Sequence, residues 1–509
     1  MTLNNKWISA LLPVVLLVAG TTGCSKFLDR KPLGVGTEDD IVQGGVEGKV
    51  FSLYGELRKD GMSGFPTLGF KNIRSDDAAK GSTTGDAGFI TPIFDQYQYD
   101  AAQGQATIYW DDHYYFITLC NAVIHDVDSM KLTDQASQQN RAEATFLRAL
   151  TYFDLVRDFG DVPKIDFKIN RPEDANIEKS TAAQIYTLID ADLDFAIANL
   201  PPEWPAKFIG RATKGAADGL KAKTLLYRKN WAGALAKAED VIGSDRYELI
   251  SPYYRLFKEE GENSLESLFE IQMYVNANGS VNLGNNHNQV QGVRGSGDWD
   301  LGWGFNVPTQ ALVDFYDPAD PRKDATILYS GQSDGGSSTG GYGRTLPPFP
   351  PLAQPYWNKK VYTDPVRRSK ITIFSGDPHF SRWLNIGILR YADVLLMAAE
   401  AANELGGAAN TTKALDYLEQ VRFRARNGNN AILPKVTTTD QAELREAIYK
   451  ERRAELAMEG ERFYDLVRWD RALTVLAPLG YQVRSKFYPI PQSAIDKSGG
   501  KLIQNPDYD

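Results

Sequence analysis

The stretch Thr213–Ile242, TKGAADGLKAKTLLYRKNWAGALAKAEDVI, decides the fold. Its spacing predicts helices over Thr213 to Tyr227 and Trp231 to Ile242, with the turn at Arg228-Lys229-Asn230. Ala234-Leu235 and then Ala238 follow the turn, and small residues there let two helices approach closely. The design recurs further on: a helix over Val394 to Leu405, a turn over Gly406 to Thr412, and a helix over Lys413 to Arg426, with Ala414-Leu415 in the place of Ala234-Leu235. Ala222 and Ala234 are 12 residues apart, as are Ala402 and Ala414. The pattern resembles paired tetratricopeptide helices; the alternative is two unrelated hairpins. Arg141 to Arg157 adds a stripe of Ala142, Phe146, Ala149, Leu150 and Phe153, a helix ending near Gly160, and Ala182 to Asn199 reads as another helix.

The flanks have other textures. Lys6 precedes an apolar run from Ile8 to Ala19, which as a helix spans about 18 Å, too short for a bilayer and the right size for a signal peptide. It ends in Thr21-Thr22-Gly23-Cys24, which resembles a bacterial lipoprotein cleavage box with Cys24 as the lipidated first residue. Residues 1–23 would then be removed, and 24–36 would form a polar tether. That consumes one of only two cysteines, and Cys120 reads as a small buried hydrophobe.

From 276 to 365 the chain is rich in Gly, Ser, Asn and Pro, yet carries Trp299, Trp303, Tyr342 and Trp357. Large aromatics argue against disorder, so this is where binding is expected. The formal charge of -9 disfavours nucleic acid, and four His leave little for a metal site. Gly331-Gln332-Ser333-Asp334-Gly335 and Gly336-Ser337-Ser338-Thr339-Gly340 match a serine-hydrolase pattern, but a nucleophile elbow needs a helix that these glycines oppose. Glu451, Glu455 and Glu459 share a helix face, as glycosidase carboxylates can, but Arg452, Arg453, Arg462 and Arg468 interleave with them and favour an ion-pair network. No phosphate loop is present, and no cofactor, metal or enzymatic activity is expected.

Several blocks resemble the SusD/RagB family of nutrient-uptake lipoproteins of Bacteroidetes. They include Cys24 with Phe27-Leu28-Asp29, Phe146-Leu147-Arg148-Ala149, Phe159-Gly160-Asp161-Val162-Pro163, Asp320-Pro321-Arg322, and Leu389-Arg390-Tyr391-Ala392-Asp393. Glu451-Arg452-Arg453-Ala454-Glu455-Leu456, Glu459-Gly460-Glu461-Arg462-Phe463-Tyr464-Asp465 and Tyr488-Pro489-Ile490-Pro491 complete the match, with Glu461 where His is common. The resemblance implies a mostly α fold of about four tetratricopeptide-like helix pairs, with long irregular ligand-binding loops and minor β. It divides the chain into a region 37–250 and a region 251–509 containing the insert 276–365, intertwined as one body. It also implies a cell-surface, lipid-anchored outer-membrane protein that caps a SusC-like TonB-dependent transporter and delivers an oligosaccharide to it.

A sugar presents an apolar C–H face and a polar rim, so the candidate ligand-binding residues are Trp299, Trp303, Tyr342 and Trp357 as platforms, with Asp76, Asp77 and Arg74 as hydrogen-bonding groups. The alternatives are a RagB-like peptide binder, a helical-repeat scaffold without a small ligand, and a glycosidase.

Overall fold

The computed structural model describes residues 45–275, 282–364, 366 and 383–508. The signal-peptide, tether and Cys24 expectations lie outside these residues.

The long helices are α1 (Val46–Glu56), α2 (Gly104–Ser129), α3 (Gln135–Phe159), α4 (Ala182–Asn199), α5 (Lys214–Tyr227), α6 (Trp231–Ile242), α7 (Tyr391–Leu405), α8 (Ala408–Arg426), α9 (Gln441–Leu456) and α10 (Arg462–Arg468). Their starts follow from side chains that satisfy free backbone N–H groups. Thr181 and Gln184 form a capping box at α4, Thr213 accepts from Ala216 at α5, and Asn230 accepts from Gly233 at α6. Gly160 ends α3 at φ 75°, a conformation that a side chain would oppose.

Successive helices from α2 to α6 pack in series, and α6 then packs on α7, which pairs with α8 and α9. The two hairpins predicted from the sequence thus lie side by side. Ala222, Ala234, Ala402 and Ala414 are all fully buried in a single cluster, which gives their equal spacing its physical meaning. The fold is mostly helical with tetratricopeptide-like pairs, as the sequence predicts.

The second turn departs from expectation. It occupies only Gly406-Gly407, at φ 69° and 83°, and α8 starts at Ala408 instead of Lys413. Consecutive positive φ angles reverse the chain within two residues. The amide of Asn410 and the hydroxyls of Thr411 and Thr412 then donate to the carbonyls of Gly406, Gly407 and Ala408, absorbing polar groups that read as a loop.

Strands are short and paired antiparallel: β1 (Ala78–Gly81) with β3 (Phe305–Pro308), β2 (Ser267–Ile271) with β6 (Ile386–Arg390), and β4 (Ile327–Tyr329) with β5 (Tyr356–Asn358). The main core fills the N-terminal half around Phe70, Phe94, Tyr109 and Phe159, and Tyr488 from the far end of the chain stacks into it.

Glu455 of α9 is buried with Arg322, Arg390 and Arg424 around it, and Glu451 and Glu459 pair with Arg322 and with Arg390 and Lys360. Burial alone would raise the Glu455 carboxyl, but the charges of Arg424, Arg390 and Arg322 hold it well below the usual range. A carboxylate kept ionised in this way is no general acid. The three carboxylates belong to a structural ion-pair network, but α9 ends at Leu456, so Glu459 stands in the turn beyond the helix face. The interleaved Arg452, Arg453, Arg462 and Arg468 pair instead with Asp393 and Asp465, Asp77, Asp76 and Glu400.

Candidate functional site

Three loops converge at the end of the β1–β3 ribbon. Gly81 pairs with Phe305, and a Cβ on Gly81 would stand 2.4 Å from the Gly304 carbonyl oxygen, so the approach requires glycine. Just beyond, the Ser82 hydroxyl lies 2.7 Å from the Trp303 carbonyl oxygen and 3.0 Å from Asp86, and its single hydrogen can go to either acceptor. Asp86 pairs with Arg294, and the Gln354 amide donates to the Ser82 carbonyl at 2.6 Å. These bonds fix the segments 82–90, 293–304 and 344–354 against one another.

Trp299 is half-buried on the second of these segments. The guanidinium of Arg344, from the third, lies 4.8 Å from its ring centroid, with Asp298 3.6 Å from Arg344. Trp303 is half-buried four residues on, and Phe89, on the first segment, is 43% exposed. Burial would raise the Asp86 carboxyl, but hydrogen bonds from Ser82 and Thr83 and the Arg294 charge hold it below its usual range. Trp299 thus presents a half-buried face beside the Arg344 guanidinium, with the Asp86–Arg294 pair joining the adjoining segments.

Below it lies a packed floor. Trp357 is fully buried among Val293, Leu301, Leu328, Leu346 and Leu352, with Trp299 packed on the edge of this cluster. The Trp357 indole N–H donates to the Ser330 hydroxyl at 2.9 Å, and its ring sits directly under Gly304. Trp357 therefore supports the surface and offers no face to a ligand, which corrects its placement among the platforms.

The structure also reassigns the charged candidates. Arg74 is fully buried, pairs with Asp158 and lies 4.0 Å from the Phe463 ring centroid. Asp76 accepts from Arg462 at 2.7 and 2.9 Å, and Asp77 accepts from Arg453 at 2.7 Å. These three residues clasp the N-terminal half to α9 and α10, and their charges are spent there. Tyr342 stays 36% exposed, but its ring meets Tyr362 edge-on at 5.2 Å and Lys258 at 5.0 Å. Arg294, Arg344, Asp86 and Phe89 were missed by the sequence reading, because no local pattern shows that three distant segments meet.

The serine motif has another use. Ser333 forms an isolated bridge with Thr345, and only a 3-10 turn, Ser337–Thr339, follows. The Asp334 carboxylate accepts backbone N–H groups from Tyr342 at 2.8 Å, Arg344 at 3.0 Å and Gly336 at 3.2 Å. It shapes the loop that holds Arg344 over Trp299. Cys120 is buried and its thiol is pushed up by burial, as a core residue's should be.

Comparisons with known proteins agree across the chain. Residues 265–486 match the SusD family, and residues 64–226 match a family described as starch-binding, associating with outer membrane. Among curated relatives, SusD-like protein P2 of Formosa agariphila is 29% identical over 80% of this chain and 81% of its own length. The starch-binding protein SusD of Bacteroides thetaiotaomicron is 28% identical over 58% of this chain and 56% of its own. Among solved structures, a laminarin-binding SusD-like protein superposes with a TM-score of 0.75 at 28% identity, covering 91% of this chain and 99% of that one. Surface glycan-binding protein A from Bacteroides thetaiotaomicron, in complex with laminarihexaose, gives 0.75 at 25% identity, covering 90% and 98%. With a helix-pair body, ion-paired family motifs and matches in both halves, the chain belongs to the SusD/RagB family.

Proposed function

We propose that the protein captures oligosaccharide at the outer-membrane surface, without cleaving it, and presents it to a SusC-like TonB-dependent transporter. The observation that carries this reading is the convergence of three loops that seats Trp299 at the edge of the packed Trp357 floor beside Arg344, with Trp303 half-buried four residues on and the Asp86–Arg294 pair joining the segments. Trp299 and Trp303 provide flat apolar faces for sugar C–H groups, and the charged rim meets hydroxyls. Tyr342 extends the same loop system toward Tyr362. Relatives that bind laminarin, laminarihexaose and starch support carbohydrate as the ligand class, and the match to a family associating with the outer membrane supports the location.

Affinity electrophoresis in laminarin and starch gels tests the reading, with a peptide panel run by calorimetry. Trp299→Ala is expected to weaken glycan retention about tenfold, since lost burial of one aromatic face is worth about 1.5 kcal/mol or more. The bound oligosaccharide should be recovered uncut. Peptide binding without glycan retention would move the assignment to the RagB-like alternative.

Anchoring is read separately. Cys24→Ala is expected to shift the protein from the membrane fraction to the soluble fraction, because the acyl chains would have no attachment. A variant still found in the outer membrane would remove the lipid-anchor assignment.

A further inference from the structure

A cavity of about 200 Å3 lies between α3, α5 and the β2–β6 ribbon and extends to the segment Leu256-Phe257-Lys258. Leu256, Phe257, Val361, Leu384, Ile386 and Ile388 contribute apolar wall. A cavity of about 150 Å3 in another protein takes up benzene, so this one admits a body of about six carbons with one polar substituent.

Six cations line the same cavity: Lys71, Arg157, Lys223, Lys258, Lys360 and Arg390. Five of them are matched by carboxylates. Lys71 and Arg157 pair with Asp154, Lys223 with Asp393 and Glu461, Lys360 with Glu459, and Arg390 with Glu266, Glu455 and Glu459. Lys258 is the exception: it is only 8% exposed, and among the described residues no carboxylate pairs with it.

Its Nζ donates to the Tyr362 carbonyl at 2.7 Å and lies 5.0 and 5.5 Å from the ring centroids of Tyr342 and Tyr362. An ammonium carries three donors, so two remain without a hydrogen bond among the described residues. Nearby carboxylates are committed elsewhere. Asp334 accepts the backbone N–H groups of Tyr342, Arg344 and Gly336 and the Tyr362 hydroxyl at 3.1 Å. On the cavity wall, Glu262 accepts the Asn385 N–H at 2.9 Å and Glu270 the Asn385 amide at 2.8 Å. Burial, reinforced by the charge of Lys359 and only partly offset by Glu260 and Asp334, lowers the Lys258 ammonium to about 7. A buried charge without a counterion is costly, and an anion that reaches it relieves that cost.

We infer that this cavity binds a small monocarboxylate with an apolar body, its carboxylate paired with Lys258 and its body against the apolar wall. The carboxylate accepts the two unspent N–H groups as charge-assisted hydrogen bonds, and the apolar wall rejects bulkier polar guests such as free sugars. A cation finds no free carboxylate of its own there without breaking a buried pair. The assignment stands whether or not the surface captures polysaccharide.

The test is calorimetric titration of the intact protein with benzoate and hexanoate, with benzamide as the neutral control and benzylamine as the cationic one. At pH 6 at least one of the two acids should bind saturably, at least tenfold more tightly than either control. Binding should weaken about tenfold at pH 8, because the free Lys258 has by then mostly lost its proton while the guest stays ionised at both values. Lys258→Met, which keeps the length of the side chain and removes its charge, should weaken binding at least tenfold. Ile388→Trp, which fills part of the cavity and leaves every charge in place, should do the same. The comparisons across guests and pH use the unaltered protein, so they stay decisive if a variant fails to fold. Absence of binding by both acids overturns the proposal, as does benzamide or benzylamine binding as tightly as the acids. Binding as tight at pH 8 as at pH 6, or undiminished in Lys258→Met, overturns it as well.

Discussion

Replacing Glu455 by Ala is expected to cost about 3–5 kcal/mol of stability, measured by urea denaturation, because it strands buried positive charge. The fully buried Glu455 carboxylate lies 3.0 Å from Arg322 and 2.5 Å from Arg390, and also pairs with Arg424. Arg322 keeps Asp320 and Glu451, and Arg424 keeps Glu266, so partial compensation sets the upper limit. Glu455→Gln should retain more structure than Ala, through its remaining oxygen, yet still lose most of the effect. The same site fixes a pH dependence. The carboxyl is depressed in the folded protein, so its contribution is present above the unfolded value of about 4.5 and is lost only as pH falls toward the folded value. Wild-type protein should therefore lose stability between pH 5 and more acidic conditions more steeply than Glu455→Gln, which has no such proton to take up. Equal acid sensitivity of the two would exclude Glu455 as a contributor.

Trp357→Ala is expected to be about as damaging, roughly 3–5 kcal/mol, because it opens a large void in a closed cluster and leaves the Ser330 hydroxyl without its donor. Its effect on binding should exceed that of many surface changes, although the side chain is fully buried. The ring carries Gly304 and the segment with Trp299, so losing it loosens the geometry between Trp299 and Arg344. Trp357→Phe restores most of the volume and should recover most of both properties. Glycan retention that stays at wild-type strength in Trp357→Ala, with the Tm lowered, would show that the surface does not depend on this floor.

The helices were legible because their information is local. Thr181, Thr213 and Asn230 each cap a helix within a few residues, and the spacing of Ala222, Ala234, Ala402 and Ala414 records a packing that every turn repeats. The Gly406-Gly407 turn was misjudged because Asn410, Thr411 and Thr412 read as loop residues until their bonds back to the preceding turn are seen. The site was legible only in its broad location. Trp299 and Trp357 are alike in composition and context, and what separates an edge residue from a buried support is a partner such as Ser330 or Gly304 on another segment. Arg74, Asp76 and Asp77 had the chemistry of a sugar site, but their partners Asp158, Arg462 and Arg453 lie 84, 386 and 376 residues away. Asp86 and Arg294 went unnoticed for the complementary reason: each is an ordinary surface charge until the chain brings them together.

The clasp between Asn72–Asp77 and α9–α10 also governs when the chain can finish folding. Asn72 receives the Gly460 N–H across 388 residues, and Asp76 and Asp77 receive guanidinium groups from positions nearly as distant. A nascent chain that has emerged only as far as α8 holds Asp76 and Asp77 with neither cation. Closure therefore waits for almost the entire polypeptide to emerge, and the early helices must remain soluble through that interval. On the proposed surface location, this would put the final assembly step after translocation.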